Sequence, residues 1–112
     1  MQYALLIYRS HDPDLDPAAA AASFAAVLAH EAVTGWVRLH PDESATTVRH
    51  ALPDVLLTDG PFIDTKEYLA GLIFVEADNL DGALAVAREL QGERDNGAIE
   101  VRPVLESAPR DA

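Results

Sequence analysis

The segment LLTDGPFIDTKEYLAG, residues 56–71, decides how this 112-residue chain folds. An apolar run ends at Asp59, Gly60 and Pro61 follow directly, and a second apolar run begins at Leu69. Glycine and proline side by side are typical of a chain reversal between two extended segments. We therefore predict a turn between two strands, which holds Asp59 in a fixed position at the end of the first strand.

Short apolar segments on both sides of this turn predict a sheet. They lie at residues 2–8, 36–39, 45–49, 55–58, 69–75 and 98–104. Pro103 falls in the last of these, and proline cannot donate a hydrogen bond to a neighbouring strand. We therefore expect the last strand at an edge of the sheet.

Two segments have the composition or periodicity of helices. Alanine-rich residues 18–33 predict the first, with Gly35 at the point where it should stop. The second, residues 80–90, follows Asp78 as a cap and precedes Gly92. Its apolar residues recur at helical spacing: Leu80, Ala83, Leu84, Ala87 and Leu90. The pattern predicts one α+β domain over residues 1–112, with an antiparallel sheet and two helices on one face.

The second face of that sheet is also apolar. Residues 2–8 and LIFV, residues 72–75, carry apolar side chains in both alternating positions. Left uncovered, such a face would expose a large hydrophobic patch. We therefore predict a homodimer whose two sheets pack face to face.

Composition excludes several classes of protein. The formal charge is −11, with 19 acidic residues against 8 Lys and Arg, so direct nucleic-acid binding is not expected. No apolar run reaches the roughly 18 residues that a membrane span needs. Cysteine is absent from the sequence, and its N-terminus has no basic leader. We expect a cytoplasmic protein without a cofactor.

Asp59 is the first candidate for chemistry, and two interpretations are open. A carboxylate fixed by Gly60 and Pro61 can serve as a general base, with Phe62 shielding it from water. Alternatively, the carboxylate bonds nearby backbone amides and the segment is a structural turn. His40, just before Pro41, is the histidine that we expect to pair with Asp59 as a proton shuttle.

Further candidates surround this pair. Tyr8 could assist proton transfer, and Arg49 or Lys66 could hold an anionic substrate group. Lys66 could equally form a solvated ion pair with Glu67. The other histidines are expected at the surface: His11, His30 and His50.

The acidic segment HDPDLD, residues 11–16, has the alternate spacing that opens a calcium-binding loop. Such a loop needs glycine at its sixth position and glutamate at its twelfth, where this chain has Pro17 and Ser23. The histidines also lack paired spacing, so we predict no metal site.

Five motifs in order resemble those of the YCII-related proteins, specifically the DGPF subgroup. They are LLIY (residues 5–8), ATTVR (45–49), LTDGPF (57–62), TKE (65–67) and EVRPV (100–104). The resemblance implies a dimeric α/β barrel built from a ferredoxin-like fold. In some members a His-Asp pair is the proposed active centre, and one wider relative removes chloride from a chlorinated hydroquinone.

Three functions are compatible with this resemblance. The first is a small-molecule binder or a lyase- or hydrolase-type enzyme with an Asp59-centred pocket. DGPF-type proteins are also encoded beside extracytoplasmic-function sigma factors, which implies a non-catalytic dimeric accessory protein as the alternative. The third is a stable dimer in which the DGPF segment is purely structural.

Overall fold

The computed structural model describes residues 1–11, 25, 27–63, 65–94 and 96–108 of the chain. Within them lie six strands, a short 3₁₀ turn at Asp42–Ser44 and one complete helix. The strands are β1 (Gln2–Ser10), β2 (Val33–Arg38), β3 (Thr46–Ala51), β4 (Asp54–Asp59), β5 (Glu67–Glu76) and β6 (Ala98–Pro103). The helix, α1, spans Leu80–Gly92. The predicted α+β class with an antiparallel sheet is confirmed.

Four of the strands form one antiparallel sheet in the order β2-β5-β1-β6. Because β5 is antiparallel to both β1 and β2, those two strands run parallel to each other and end on the same side. At that side Ser10 pairs with Glu67, and Tyr8 pairs with Ala98. We call it the upper end of the sheet: β1 and β2 end there, and β5 and β6 begin there. The predicted edge position of the last strand, with Pro103 opposite Tyr3, is confirmed.

The core lies between one face of the sheet and the helical layer. Alternating residues of β1 and β5 point into it, and they pack against one side of α1. Its largest fully buried side chains are Leu5, Ile73, Leu90, Val27 and Val75. This one-sided burial is the period-2 and period-3.6 pattern of a sheet covered by helix.

Helix α1 differs in detail from the prediction. Its cap is Asn79, whose side-chain Oδ1 accepts a hydrogen bond from Gly82 N at 3.1 Å, and not Asp78. Asp78 lies too early in the chain to cap the helix, because the preceding residue, Ala77, still donates a backbone hydrogen bond to Met1 O beside the sheet. Gly92 is the last helical residue and not the residue beyond it.

The buried side of α1 also differs from the prediction. Val86 belongs to it, because it lies three residues after Ala83 and four before Leu90. Leu80, in the first turn, is exposed, and Leu84 is half-buried.

The first predicted helix lies mostly outside the described residues, so the predicted pair of helices is not confirmed. Ala25, Val27 and Leu28 have helical backbone, and Val27 is in the core. The helix does not reach Val33, which begins β2. Gly35 was predicted to stop it but lies inside β2, where the pairing with β5 shifts register.

The remaining two strands, β3 and β4, form a separate hairpin. Its turn is Leu52-Pro53, with a cis peptide bond, and all of β4 is exposed. Apolar side chains on it include Val48, Val55 and Leu57, each more than half exposed. The hairpin therefore projects from the sheet.

The outer face of the four-stranded sheet carries a central apolar strip. Leu6 pairs with Leu72 and Ala4 pairs with Phe74, all half-buried, and Val37 beside Leu72 is exposed. On the β6 side, charged residues flank the strip, because Arg102 pairs with Ala4 and Glu100 pairs with Leu6. No described helix is long and apolar enough to cross a membrane.

Candidate functional site

A cavity of about 900 Å³ opens at the upper end of the sheet. Its walls come from the ends of β1 and β5, the loop after β2 and the base of the β3–β4 hairpin. The apolar part of the lining includes Tyr8, Leu39, Pro61, Phe62, Tyr68 and Leu69. This volume suits a small organic molecule, since ligand pockets commonly span 300–1,000 Å³.

Polar groups converge on the same cavity from different segments. His40 and Asp42 come from the loop after β2, Thr46 and Thr47 from the start of β3, and Glu67 from the start of β5. A mainly apolar wall with a few placed polar groups is the usual composition of a binding site.

The most organised polar contact is a pair between His11 and Asp42. Nε2 of His11 lies 3.2 Å from Oδ2 of Asp42. The Asp42 side chain is 14% exposed and lines the cavity, whereas the His11 side chain is 53% exposed. The ring of His11 also packs on Tyr68, with centroids 4.6 Å apart and planes tilted by 32°. Asp42 therefore lies in the cavity wall, sheltered from solvent, and His11 lies beside it, outside the lining and open to solvent.

Strand order brings these two residues together. His11 follows β1 directly, and Asp42 lies in the 3₁₀ turn after β2. Only β5 separates those parallel strands, so both loops emerge at the upper end. His11 is also tied to the start of β5, because its backbone N donates to Lys66 O at 3.4 Å.

Arg94 connects helix α1 to the upper end of the sheet. Its guanidinium donates to the backbone carbonyl of Tyr8 and to Oε1 of Gln91, so it ties α1 to the end of β1. Burial, with the nearby Arg9 charge, lowers the pKa of Arg94, and Glu67 opposes that shift. Gly97 completes the contact at φ +79°, where a Cβ atom would lie 2.0 Å from Tyr8 O. Tyr8 is thereby fixed where it lines the cavity.

The DGPF turn, residues 59–62, is held by backbone groups and not by a pair of side chains. Gly60 adopts φ +97°, its N donates to Ala45 O at 2.7 Å, and its carbonyl accepts from Thr47 Oγ1 at 2.7 Å. Asp59 ends β4 opposite Thr46 and is exposed. No described residue donates a hydrogen bond to its carboxylate. The turn is held by backbone and Thr47, and the carboxylate takes no part in holding it.

The predicted site residues are thus divided by the structure. Tyr8, His40 and Phe62 line the cavity, although the Tyr8 hydroxyl reaches Glu100 on β6 at 3.5 Å. Three others are absent from the lining of this cavity: Asp59, Arg49 and Lys66. The catalytic role of Asp59 with His40 stays a prediction.

Arg49 has a partner of its own. Its guanidinium carbon lies 4.6 Å above the ring centroid of Phe62. This cation–π contact holds Phe62 beside the cavity, so Arg49 supports the wall without forming it.

The remaining histidines differ in exposure and in hydrogen bonding; they are His11, His30 and His50. His50 is exposed on the hairpin, as predicted. His30 is half-buried, and its Nδ1 accepts a hydrogen bond from Ala32 N at 3.0 Å, so it serves the turn before β2. His11 is exposed as predicted, but its pairing with Asp42 was missed.

No metal-binding cluster is found within the part of the chain that the structure describes. There, no three His, Asp or Glu side chains are grouped so that they could hold an ion. The acidic residues 12, 14 and 16 of the segment tested above lie outside the described residues.

Comparison with known proteins gives the family. The family model described as the YCII-related domain matches residues 1–108 of the chain. The chain belongs to the YCII-related family. An uncharacterized protein, R00369, from Rhizobium meliloti (strain 1021) is 41% identical to this YCII-related chain over 68 residues. The match covers 60% of the chain and 55% of that relative, so the chain spans about half of its length.

Proposed function

We propose that this YCII-related protein binds a small organic molecule in the cavity at the upper end of the sheet and exchanges a proton with it. The observation that carries the proposal is that Asp42, in the cavity wall, has its Oδ2 3.2 Å from Nε2 of His11, which lies just outside the lining. In this proposal the pocket is centred on Asp42, which takes the role that the sequence analysis gave to Asp59.

The pair has the parts that acid–base chemistry requires. Asp42 is the member of the pair that faces the ligand, and a proton taken up by its carboxylate passes to Nε2 of His11, which is open to solvent. Imidazole exchanges protons near neutral pH, which suits a general base. A base of this kind removes a proton from a bound molecule in a lyase-type reaction, or from water in a hydrolase-type reaction.

The fold and assembly in this proposal extend the resemblance. The strand order β2-β5-β1-β6 supports a ferredoxin-like sheet with the β3–β4 hairpin inserted. The segment Asp59-Gly60-Pro61-Phe62 supports placement in the DGPF subgroup. The apolar strip on the outer face supports a homodimer in which two sheets pack face to face.

Screening with matched variants tests the proposed site. Small organic molecules are screened for stabilisation of the protein against heat and for turnover. Asp42→Asn keeps the shape of the side chain and removes its charge, so we expect a loss of at least about 100-fold in turnover. Glu43→Gln is the control, because Glu43 is exposed in the same 3₁₀ turn.

The same assay separates the two aspartates. If Asp59→Asn abolishes turnover while Asp42→Asn does not, the site belongs to the DGPF turn and the proposal is wrong. If neither change affects turnover of any ligand found, the His11–Asp42 pair is structural.

The dimer has a separate test. Phe74→Glu places a charge in the middle of the outer apolar strip, and we expect it to produce monomers in analytical ultracentrifugation. Leu105→Glu is the control, because Leu105 is 96% exposed and lies away from the strip. A wild-type protein that sediments as a monomer at micromolar concentration would contradict the proposed assembly.

A further inference from the structure

The charged groups on the cavity wall are mostly of one sign. Asp42 and Glu67 line the cavity, and no lysine or arginine is found among the described lining residues. Arg49 and Lys66, which the sequence suggested as holders of an anionic group, are not part of the lining. The net charge of −11 adds a field that repels anions from the entrance. A negatively charged ligand would therefore meet two carboxylates and no lysine or arginine among the described lining residues.

The aromatic groups on the wall point to the same class of ligand. Tyr8, Phe62 and Tyr68 line the cavity. The faces of aromatic rings carry negative charge density and attract cations within about 6 Å. Phe62 already has a guanidinium 4.6 Å above its ring, and Tyr68 has the imidazole of His11 at 4.6 Å. Aromatic rings together with carboxylates are a recurring way to recognise an ammonium group.

We infer that the cavity selects a small organic cation, an amine or quaternary ammonium joined to an aromatic or aliphatic body. This inference rests on the function proposed above and names the substrate class of the same site. The apolar wall contributed by Leu39, Pro61 and Leu69 receives the body of the ligand, and Glu67 and Asp42 face its charge.

Three probes that share one ring and one chain length test the charge preference. They are 2-phenylethylamine, 2-phenylethanol and 3-phenylpropionate, which present a cation, a neutral hydroxyl and an anion. Binding is measured by isothermal titration calorimetry at neutral pH and low salt. Amide NMR shifts on the same samples locate the bound probe. We expect the amine to bind at least about tenfold more tightly than the carboxylate, with shifts at residues 39–47 and 61–69.

Charge-removing variants identify the source of the preference. Glu67→Gln should reduce the ratio between amine and carboxylate affinities to less than about threefold, because it removes a carboxylate that faces the ammonium group. Glu89→Gln is the matched control, because it removes the same charge from the exposed side of α1. A ratio that falls equally in both variants would show a general field effect and would overturn the role assigned to the wall.

The outcomes distinguish this inference from the function on which it rests. If the carboxylate binds as tightly as the amine or more tightly, with shifts at the cavity, the cavity is a binding site and the inferred class is wrong. If none of the three probes binds at millimolar concentration, or if the shifts map elsewhere, both the inferred class and the proposed binding site are overturned.

Discussion

Asp42 and Asp59 lie on either side of the base of the same hairpin, yet their surroundings differ in every respect that matters for chemistry. Asp42 is mostly sheltered, lines the cavity and has its Oδ2 3.2 Å from Nε2 of His11. Asp59 is exposed, lies outside the lining, and has no hydrogen-bond donor among the described residues. The conspicuous Gly-Pro neighbours belong to Asp59, and the organised contact belongs to Asp42.

The comparison teaches that a rigid backbone and a functional side chain are separate properties. Gly60 and Thr47 fix the DGPF turn through backbone groups, so the turn needs no contribution from the Asp59 carboxylate. Asp42 sits in a 3₁₀ turn with no unusual residue, and its position is determined by strands that are distant in sequence.

The largest effect that separates the two regions is expected from the histidines. His11→Gln removes the proton acceptor from the Asp42 pair and should lower turnover of a ligand found by screening by at least about 100-fold. His40→Gln should lower it by less than about tenfold, because His40 lines the cavity without a described carboxylate partner. Steady-state kinetics of the two variants measure the difference. A larger loss for His40→Gln would return the chemistry to the site predicted from sequence.

The two glycines with positive φ give the next contrast. In Gly97→Ala the new Cβ would meet the Tyr8 carbonyl at 2.0 Å, so the free energy of unfolding should fall by about 3 kcal/mol. In Gly60→Ala the new Cβ would lie in open space, and only the positive φ opposes the change. We therefore expect the free energy of unfolding to fall by about 1 kcal/mol. Urea denaturation measures both. Equal losses would mean that the DGPF turn is as tightly constrained as the upper end of the sheet.

Two neighbouring threonines test what holds the DGPF turn. Thr47→Val removes the hydroxyl that donates to Gly60 O, in a half-buried position, and should cost about 1 kcal/mol of stability. Thr46→Val is its control, since Thr46 is exposed, and it should cost less than about 0.5 kcal/mol. If the two variants are equally stable in urea, the hydroxyl does not hold the turn.

The smallest effect is expected at the contact between the two regions. Arg49→Met keeps most of the side-chain length and removes the cation above Phe62, which should cost about 0.5 kcal/mol at this exposed position. Because Phe62 also lines the cavity, ligand affinity should change by no more than about threefold. A loss of affinity beyond tenfold in calorimetry would show that Arg49 contacts the ligand directly.

The sequence was sufficient to predict the elements of the fold where the pattern is local. Alternating apolar residues predicted strands that overlap all six observed ones, and Pro103 placed the last of them at an edge. The errors lie at element ends. Asp78 and Asn79 are both good caps, and the choice between them depends on where the chain leaves the sheet. Gly35 resembled a helix stop, but tertiary pairing with β5 placed it in a strand.

The site was harder to predict because it depends on strand order. Local sequence favoured Asp59 and His40, and of the predicted site residues Tyr8, His40 and Phe62 line the cavity. His11 and Asp42 are 31 positions apart and meet because β1 and β2 end at the same side of β5. A signal was present, since each residue follows the end of a predicted strand. Reading that signal requires knowing that those two strands are parallel.

The projecting hairpin also offers a spectroscopic handle on the cavity. Its base contributes to the cavity, while its tip at Leu52 is 83% exposed. The sequence contains no cysteine, so Leu52→Cys would provide a single thiol for a fluorescent dye. Six residues of strand place that dye about 20 Å from the hairpin base. Trp36 is the sole tryptophan in the sequence. A ligand that reorients the hairpin base would alter the distance between the dye and Trp36, and the measurement needs no substitution in the cavity wall.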